Sequence, residues 1–198
     1  MRSITVLAFI SLDGVIQSPD SPEEDPSNGF NLGGWAAPYD DEVSGKLMKK
    51  LLEPKDLLLG RKTFEIWENY WPGHSEYWPG INEVTKFTLS KTRTNSNWTN
   101  TRFLSNLKEI QELKATQGSD LQVWGSSELV QLLLHENLID ELWLIIHPVI
   151  LGKGKKLFAD GSFPNALNLL YSTVNSKGVI YAQYQKSGAI QTGTIGAF

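Results

Sequence analysis

The chain has 198 residues, with 18 Lys and Arg against 22 Asp and Glu, a formal charge of -4, and no cysteine. That length fits one domain able to bury a full core and a cleft without disulfides, and the mildly negative balance argues against nucleic acid as the main partner. Without cysteine there is no disulfide framework and no thiol chemistry, and no apolar run approaches the ~20 residues of a membrane span. The N-terminus runs straight into a strand with no export-type signal, so a cytoplasmic protein is expected, in which the acceptor-like Asn97-Trp98-Thr99 carries no meaning.

In chain order, apolar β-branched runs alternate with helical spacings, the signature of an α/β domain. Ile4 to Ile10 reads as a buried strand. Gln17 to Gly34, rich in Pro, Gly, Asp and Glu, reads as a mobile surface loop. Val43, Leu47, Met48, Leu51 and Leu52 space a helix over Asp41 to Glu53 that stops before Pro54. Asp56 to Leu59 is a short strand stopped by Gly60, and Lys62 to Asn69 a short helix. Trp67 to Gly80 sets Trp67, Tyr70, Trp71, Tyr77 and Trp78 among prolines and glycines, as either the wall of a pocket or a satellite of the core. Thr85 to Leu89 is a strand, Ser105 to Thr116 a helix, and Leu121 to Trp124 a strand stopped by Gly125. Ser126 or Ser127 then caps a helix through His135. Ile139 to Leu151 is a long apolar strand, and Leu167 to Val174 pairs with Val179 to Tyr184 as a hairpin. Parallel strands joined by helices, closed by an antiparallel pair, give a mixed sheet with helices on both faces. No repeat or linker divides the chain, so residues 1–186 are expected to form a single domain, followed by a 187–198 tail that is loose or a trailing strand.

Two stretches repeat one device: strand, glycine, helix N-terminus. They are Leu57-Leu58-Leu59-Gly60-Arg61-Lys62-Thr63-Phe64 and Val123-Trp124-Gly125-Ser126-Ser127-Glu128-Leu129. Each presents the unpaired N–H groups and positive dipole end of a first helical turn. Glycine removes the side chain that would hold a phosphate away, so together the two sites can grip the halves of a pyrophosphate. Neither is a GxGxxG fingerprint or a P-loop. Arg61 and Lys62 sit at the first turn, and Ser90-Lys91-Thr92-Arg93-Thr94 follows a strand end, where ligands of open α/β sheets lie. Such a basic, hydroxyl-rich segment suits an extra phosphate, or is a solvated turn. Ser11-Leu12-Asp13-Gly14-Val15-Ile16 either lies along a flat ring such as nicotinamide or is a plain turn capped by Asp13. His74, His135 and His147 lack metal-ligand spacing and read as structural or surface residues, with no metal expected.

In order and place, Ser11 to Ile16, Gly60 to Glu65, Leu89-Ser90-Lys91-Thr92 and Val123 to Leu129 resemble the dihydrofolate reductase superfamily. The stretch from Leu138-Ile139-Asp140-Glu141-Leu142 through Pro148-Val149-Ile150-Leu151-Gly152-Lys153-Gly154-Lys155-Lys156-Leu157-Phe158 is similar to the C-terminal reductase domain of the bifunctional riboflavin deaminase–reductase. The resemblance runs from Met1 to Lys186. It implies a three-layer α/β/α fold with a mixed, mostly parallel central sheet and a C-terminal antiparallel hairpin. The zinc-deaminase signature is absent, so a stand-alone reductase-type domain is expected. The resemblance further implies an NADP(H)-dependent oxidoreductase acting on a small molecule. Gly60, Arg61, Lys62 and Thr63 would hold the cofactor phosphates. Ser90, Lys91 and Arg93 would meet the adenosine ribose and its 2′-phosphate. Gly125, Ser126, Ser127 and Leu129 would wrap the pyrophosphate and nicotinamide ribose. Leu12 and Ile16 would border the nicotinamide, beneath a lid formed by Gln17 to Gly34.

Two departures stand out. Where the family carries two successive glycines joined by a cis peptide, this chain has Gly125-Ser126, and a serine makes such a bond costlier, at ~3 kcal/mol for a non-proline peptide. Where dihydrofolate reductase has one carboxylate near the start of its first helix, this chain has Asp40, Asp41 and Glu42. Asp40 and Asp41 are the candidate catalytic acids, and any of the three equally serves as a helix cap. Trp35 and Tyr39 are candidates to stack on a planar substrate or to pack in the core. The implied reaction is hydride transfer from NADPH to a ribosyl pyrimidine of the 5-amino-6-(5-phosphoribosylamino)uracil type, or to a pterin, with a proton from a carboxylate or water. The alternative is a non-catalytic nucleotide-binding or oligomerising module that kept the fold. A homodimer is also open, through the strand Leu142 to Leu151, whose apolar faces suit a partner or burial beneath helices equally.

Overall fold

The structure, a computed structural model, describes residues 1–158, 160 and 162–196. Six strands run parallel: β1 (Ile4–Ser11), β2 (Asp56–Gly60), β3 (Lys86–Leu89), β4 (Thr101–Leu104), β5 (Leu121–Val123) and β6 (Glu141–His147). Two more, β7 (Ala166–Val174) and β8 (Ile180–Gly188), join antiparallel beside β6. They form one eight-stranded sheet in the order β4-β3-β2-β5-β1-β6-β8-β7. The order places β2 against β5, two strands far apart in the chain, and β1 between β5 and β6.

Strand β1 is apolar at nearly every position because both of its faces are covered. Its side chains alternate between two cores. Ile4, Val6, Ala8 and Ile10 meet Ile110 of α3 (Leu107–Ala115) and Leu129, Val130 and Leu133 of α4 (Ser127–His135). On the other face, Leu7 meets Leu47 and Leu51 of α1 (Glu42–Leu51), and Phe64 of α2 (Arg61–Glu68) packs on Leu57 and Leu59. Each fully buried leucine of β2 contributes about 1.5–3 kcal/mol relative to exposure. None of the helices is long and apolar enough to cross a membrane among the described residues.

The three-layer mixed architecture matches the sequence expectation, and helix boundaries fall close to those read from periodicity. Four details differ. Strand β4 was not legible, because Thr101-Arg102-Phe103-Leu104 is a half-exposed edge too short to show alternation. Strand β6 ends at His147, short of Leu151, since Pro148 has no N–H for the ladder. Beyond it, Leu151 N and Gly152 N donate to the Asp13 carboxylate, and Leu12 N donates to Val149 O, so this segment ties down the turn after β1. Strand β8 continues to Gly188, two residues into the expected tail, and residues 197–198 of that tail lie outside the described residues. The aromatic segment divides: Trp78 joins the α2 core with Trp67 and Trp71 against it, while Tyr70 and Tyr77 are exposed.

The Gln17 to Gly34 loop is folded rather than splayed into solvent. Gln17 and Ser18 are buried. The Gln17 amide donates to Asp25 O at 2.8 Å, its carbonyl oxygen accepts from Lys155 N at 3.0 Å, and the Lys155 ammonium pairs with Asp25 at 2.5 Å. Trp35 and Phe30 anchor the far end in a small core of their own, and the Trp35 indole donates to Gln17 O.

Candidate active site

The carboxyl ends of β2 and β5 lie side by side, and each leads through a glycine into a helix. Gly60 N–H donates to Gly125 O at 3.2 Å. Gly125 has φ +140°, and the Gly125–Ser126 peptide is cis. A Cβ on Gly125 would meet Thr63 Oγ1 at 2.9 Å, and one on Gly60 would land on Ser126 Oγ, 2.9 Å from the Ser126 nitrogen. Glycine at these positions therefore lets the two loops touch one another.

This contact sets two helix N-termini beside each other, and neither has a side-chain cap. Gly60 has no side chain, and Ser126 makes no capping bond, whereas Asp41 caps α1 and Asn106 caps α3. First-turn amides without a capping side chain carry a partial positive charge. They border a cavity of about 540 Å³, lined from α2 by Lys62 and Thr63, from the α4 side by Trp124, Gly125, Ser126, Ser127 and Glu128, and from the loop after β1 by Ile16, Gln17, Asp20, Glu24 and Asp25. The Lys62 ammonium stands 4.0 Å from the Glu128 carboxylate across the mouth. A smaller recess of about 200 Å³ shares Phe9 and Asp20 with the cavity and continues past Tyr39, Asp40, Met48, His147 and Tyr181.

The family model of the RibD C-terminal domain matches residues 2–181. The chain belongs to that family. It is 31% identical over 140 residues to the uncharacterized protein YyaP of Bacillus subtilis (strain 168), covering 67% of this chain and 74% of YyaP. Its fold is shared with a candidate riboflavin biosynthesis protein from Shewanella sp. PV-4, at a TM-score of 0.68 and 22% identity over 93% of this chain and 99% of that one. A pyrimidine reductase-like protein from Corynebacterium diphtheriae shares it at a TM-score of 0.61 and 15% identity, over 94% and 92% of the two chains.

In this RibD C-terminal domain the residues singled out from sequence separate into those at the cavity and those committed elsewhere. Ile16, Lys62, Thr63, Gly125, Ser126 and Ser127 line it. Gly60 stands behind Ser126. Arg61 is turned along its own helix, donating to both Glu65 oxygens at 2.9 Å. Arg93 forks onto Glu68, with its guanidinium 5.2 Å from the Phe64 ring centroid. Ser90 is buried and closes a turn, its hydroxyl oxygen accepting from Thr92 N and Arg93 N, while Lys91 is exposed. Leu129 belongs to the core, Leu12 is 61% exposed, and Trp35 is buried beneath the loop. Tyr39 and Asp40 line the recess. Asp41 does not: its carboxylate accepts from Val43 N and Ser44 N, and from the Ser176 N–H and hydroxyl, bonds that hold it far below the ordinary carboxylate range.

Sequence reasoning passed over Asp20, Glu24 and Lys155, which the folded loop brings to the cavity, and read His147, at the end of β6, as a structural or surface residue. Burial raises the Asp20 carboxyl, although Asp20 keeps open surface toward the cavity, because protein packs closely around it. Glu24 accepts from Asp20 N at 3.0 Å and is pushed up to about 7, first by burial and then by the charge of Asp20. Burial works on Asp25 too, but there the bonds from Lys155 and Ser27 win and hold it low. One loop thus carries an ionised acid locked in an ion pair and two acids biased toward their protonated forms.

Proposed function

We propose that this protein is an NADPH-dependent reductase that reduces a flat heterocycle of the ribosyl-pyrimidine type found in riboflavin synthesis, or a pterin. One observation carries the reading: two uncapped helix N-termini, Lys62 and the Thr63 hydroxyl converge on one cavity that opens through Phe9 and Asp20 into an aromatic recess. These groups fit the charge and hydrogen-bonding needs of a pyrophosphate. NADPH, when bound, supplies the hydride. The protein's own part is to hold the phosphates with Lys62 and the first-turn amides, to border the rings with Ile16 and Trp124, and to exclude water under the 17–34 loop. With Arg93 engaged by Glu68, we assign the 2′-phosphate to the exposed Lys91.

Trp124 lines the cavity and reports on it. Its fluorescence is expected to fall on titration with NADPH and much less with NADH, and Lys62→Ala is expected to weaken NADPH about tenfold, the scale of one charge-assisted contact. No quenching, together with no heat of binding by calorimetry, would overturn the proposal. Stoichiometric NADPH binding without turnover of any pyrimidine or pterin would point to the non-catalytic module instead.

The proton is assigned to the Asp20–Glu24 pair, since Asp20 sits where the cavity and the recess meet. Asp40 faces only the recess and Asp41 is a cap. An acid is active in its protonated form, so kcat is expected to fall as pH rises through about 7, the value for Glu24. Glu24→Gln is expected to remove that inflection and lower kcat about 100-fold. A pH–rate profile of the variant that still bends near neutrality would exclude Glu24.

A homodimer is proposed at a different place from the one suggested by sequence. Strand β6 is apolar because β1 and β8 flank it and both faces are covered. Uncovered apolar side chains lie on the edge strand β7, where Leu169, Leu170, Tyr171 and Val174 are exposed, an arrangement that invites a partner. Sedimentation equilibrium is expected to return twice the chain mass, and a single-chain mass would remove this proposal.

A further inference from the structure

The recess beyond Phe9 has an unusual balance of hydrogen-bonding groups. Its hydroxyls at Ser44 and Tyr181 are spent on one another and on neighbours: Tyr181 donates to Ser44 Oγ at 2.5 Å, which also accepts from Asn175 at 3.1 Å. What remains facing the space is the Tyr39 phenol, the Asp20 carboxyl, the Asp40 carboxylate and His147.

His147 is only 3% exposed. Three rings hold it: Trp35 and Tyr39 edge-on, at centroid distances of 5.2 and 5.8 Å, and Phe9 tilted at 5.8 Å. Its Nδ1 lies 3.0 Å from Ile145 O. A carbonyl only accepts, so Nδ1 carries a proton. Burial in this aromatic box disfavours the imidazolium, which leaves Nε2 as a bare lone pair. Nε2 makes no hydrogen bond among the described residues. Among the described residues the fully buried side-chain nitrogen and oxygen atoms without a partner comprise Thr88 Oγ1 and not His147 Nε2. His147 lines the recess.

We propose that His147 is a specificity-determining residue whose Nε2 accepts a hydrogen bond from an N–H on the inner edge of a flat, donor-rich heterocycle seated in the recess. The flat apolar walls suit a ring, and the acceptors at His147 and Asp40 suit amino and imide N–H groups. This inference rests on the reading that the recess holds the substrate. It adds which edge of that substrate enters and which side chain reads it.

The test uses 5,6-diaminouracil as probe and the full chain without cofactor, so that it is separable from NADPH binding. Calorimetry is expected to show binding to the wild-type protein and a loss of about tenfold or more in His147→Phe, which fills the box but offers no acceptor, the cost of leaving a buried donor unpaired. His147→Gln, which restores an acceptor, is expected to recover part of that loss. Trp124 quenching by NADPH should be the same in all three proteins. Nitrogen NMR of the wild-type imidazole gives a readout that does not depend on variant folding: Nε2 should be unprotonated at neutral pH, and its resonance should move when the probe binds. Equal affinity in His147→Phe, an Nε2 that carries the proton, an Nε2 unmoved by the probe, or failure of the probe to bind would each overturn the inference. A protein that binds the probe through His147 but ignores NADPH would keep the recess and sink the reductase reading alone.

Discussion

Gly60→Ala is expected to lower stability by about 1–3 kcal/mol, the usual cost of forcing extra volume into a packed contact, and to weaken NADPH binding on the order of 100-fold, as small displacements of a positioned site do. The reason is local. The added methyl would fall on the Ser126 hydroxyl and within 2.9 Å of the Ser126 main-chain nitrogen. Ser126 begins α4, and Gly60 begins α2, so the two N-termini must move apart. A pyrophosphate held between them would lose one side of its cradle. Gly73→Ala is the control, since nothing lies within 4 Å of a Cβ there, and both quantities should stay at wild-type values. Thermal unfolding and Trp124 titration measure the two effects. A Gly60→Ala protein of normal stability and affinity would mean that the strand ends are not in contact.

Arg93→Ala is expected to cost about 2–3 kcal/mol of stability while leaving the preference for NADPH over NADH unchanged. The guanidinium forks onto Glu68, whose side chain is 14% exposed, and lies 5.2 and 6.0 Å from the Phe64 and Phe103 ring centroids. Removing it strands a largely buried carboxylate with the Ser96 hydroxyl as its remaining side-chain donor among the described residues. Breaking a fully buried pair costs ~3–5 kcal/mol, and the figure here is lower because Arg93 itself is 28% exposed. Arg93→Lys keeps the charge but not the planar fork, and should fall between the two. Lys91→Ala should show the converse pattern: normal stability and a reduced preference for NADPH. Denaturant unfolding alongside paired NADPH and NADH titrations separates these outcomes. A stable Arg93→Ala protein that no longer distinguishes the two cofactors would return Arg93 to the 2′-phosphate.

The comparison between Arg93 and Lys62 shows where sequence reading stops. Both are cations close to a strand end, and both were assigned to phosphate. Lys62 faces the cavity, while Arg93 is claimed by Glu68, the last residue of α2. Nothing in spacing distinguishes them, because the choice of partner depends on which side chains share a face in three dimensions. Asp40 and Asp41 divide in the same way. Asp41 is taken by the first turn of α1 and by Ser176, far away in the chain, and Asp40 is left to the recess.

What the sequence determined by itself was local and periodic. The alternation of apolar strands with amphipathic helices, the glycine stops after β2 and β5, and the final hairpin follow from hydrophobic period and backbone freedom, which each segment carries within itself. The short edge strand β4 and the early end of β6 escaped, since one lacks a period to read and the other ends where Pro148 and the turn at Asp13 compete for the chain. Only the tertiary structure decided that Gly60 and Gly125 touch, that the acidic 17–34 loop brings Asp20 and Glu24 over the cavity, and that His147 sits in an aromatic box with one nitrogen free. These are pairings between residues distant in the chain. They are set by strand order and by competition among side chains for partners, and no local pattern records either.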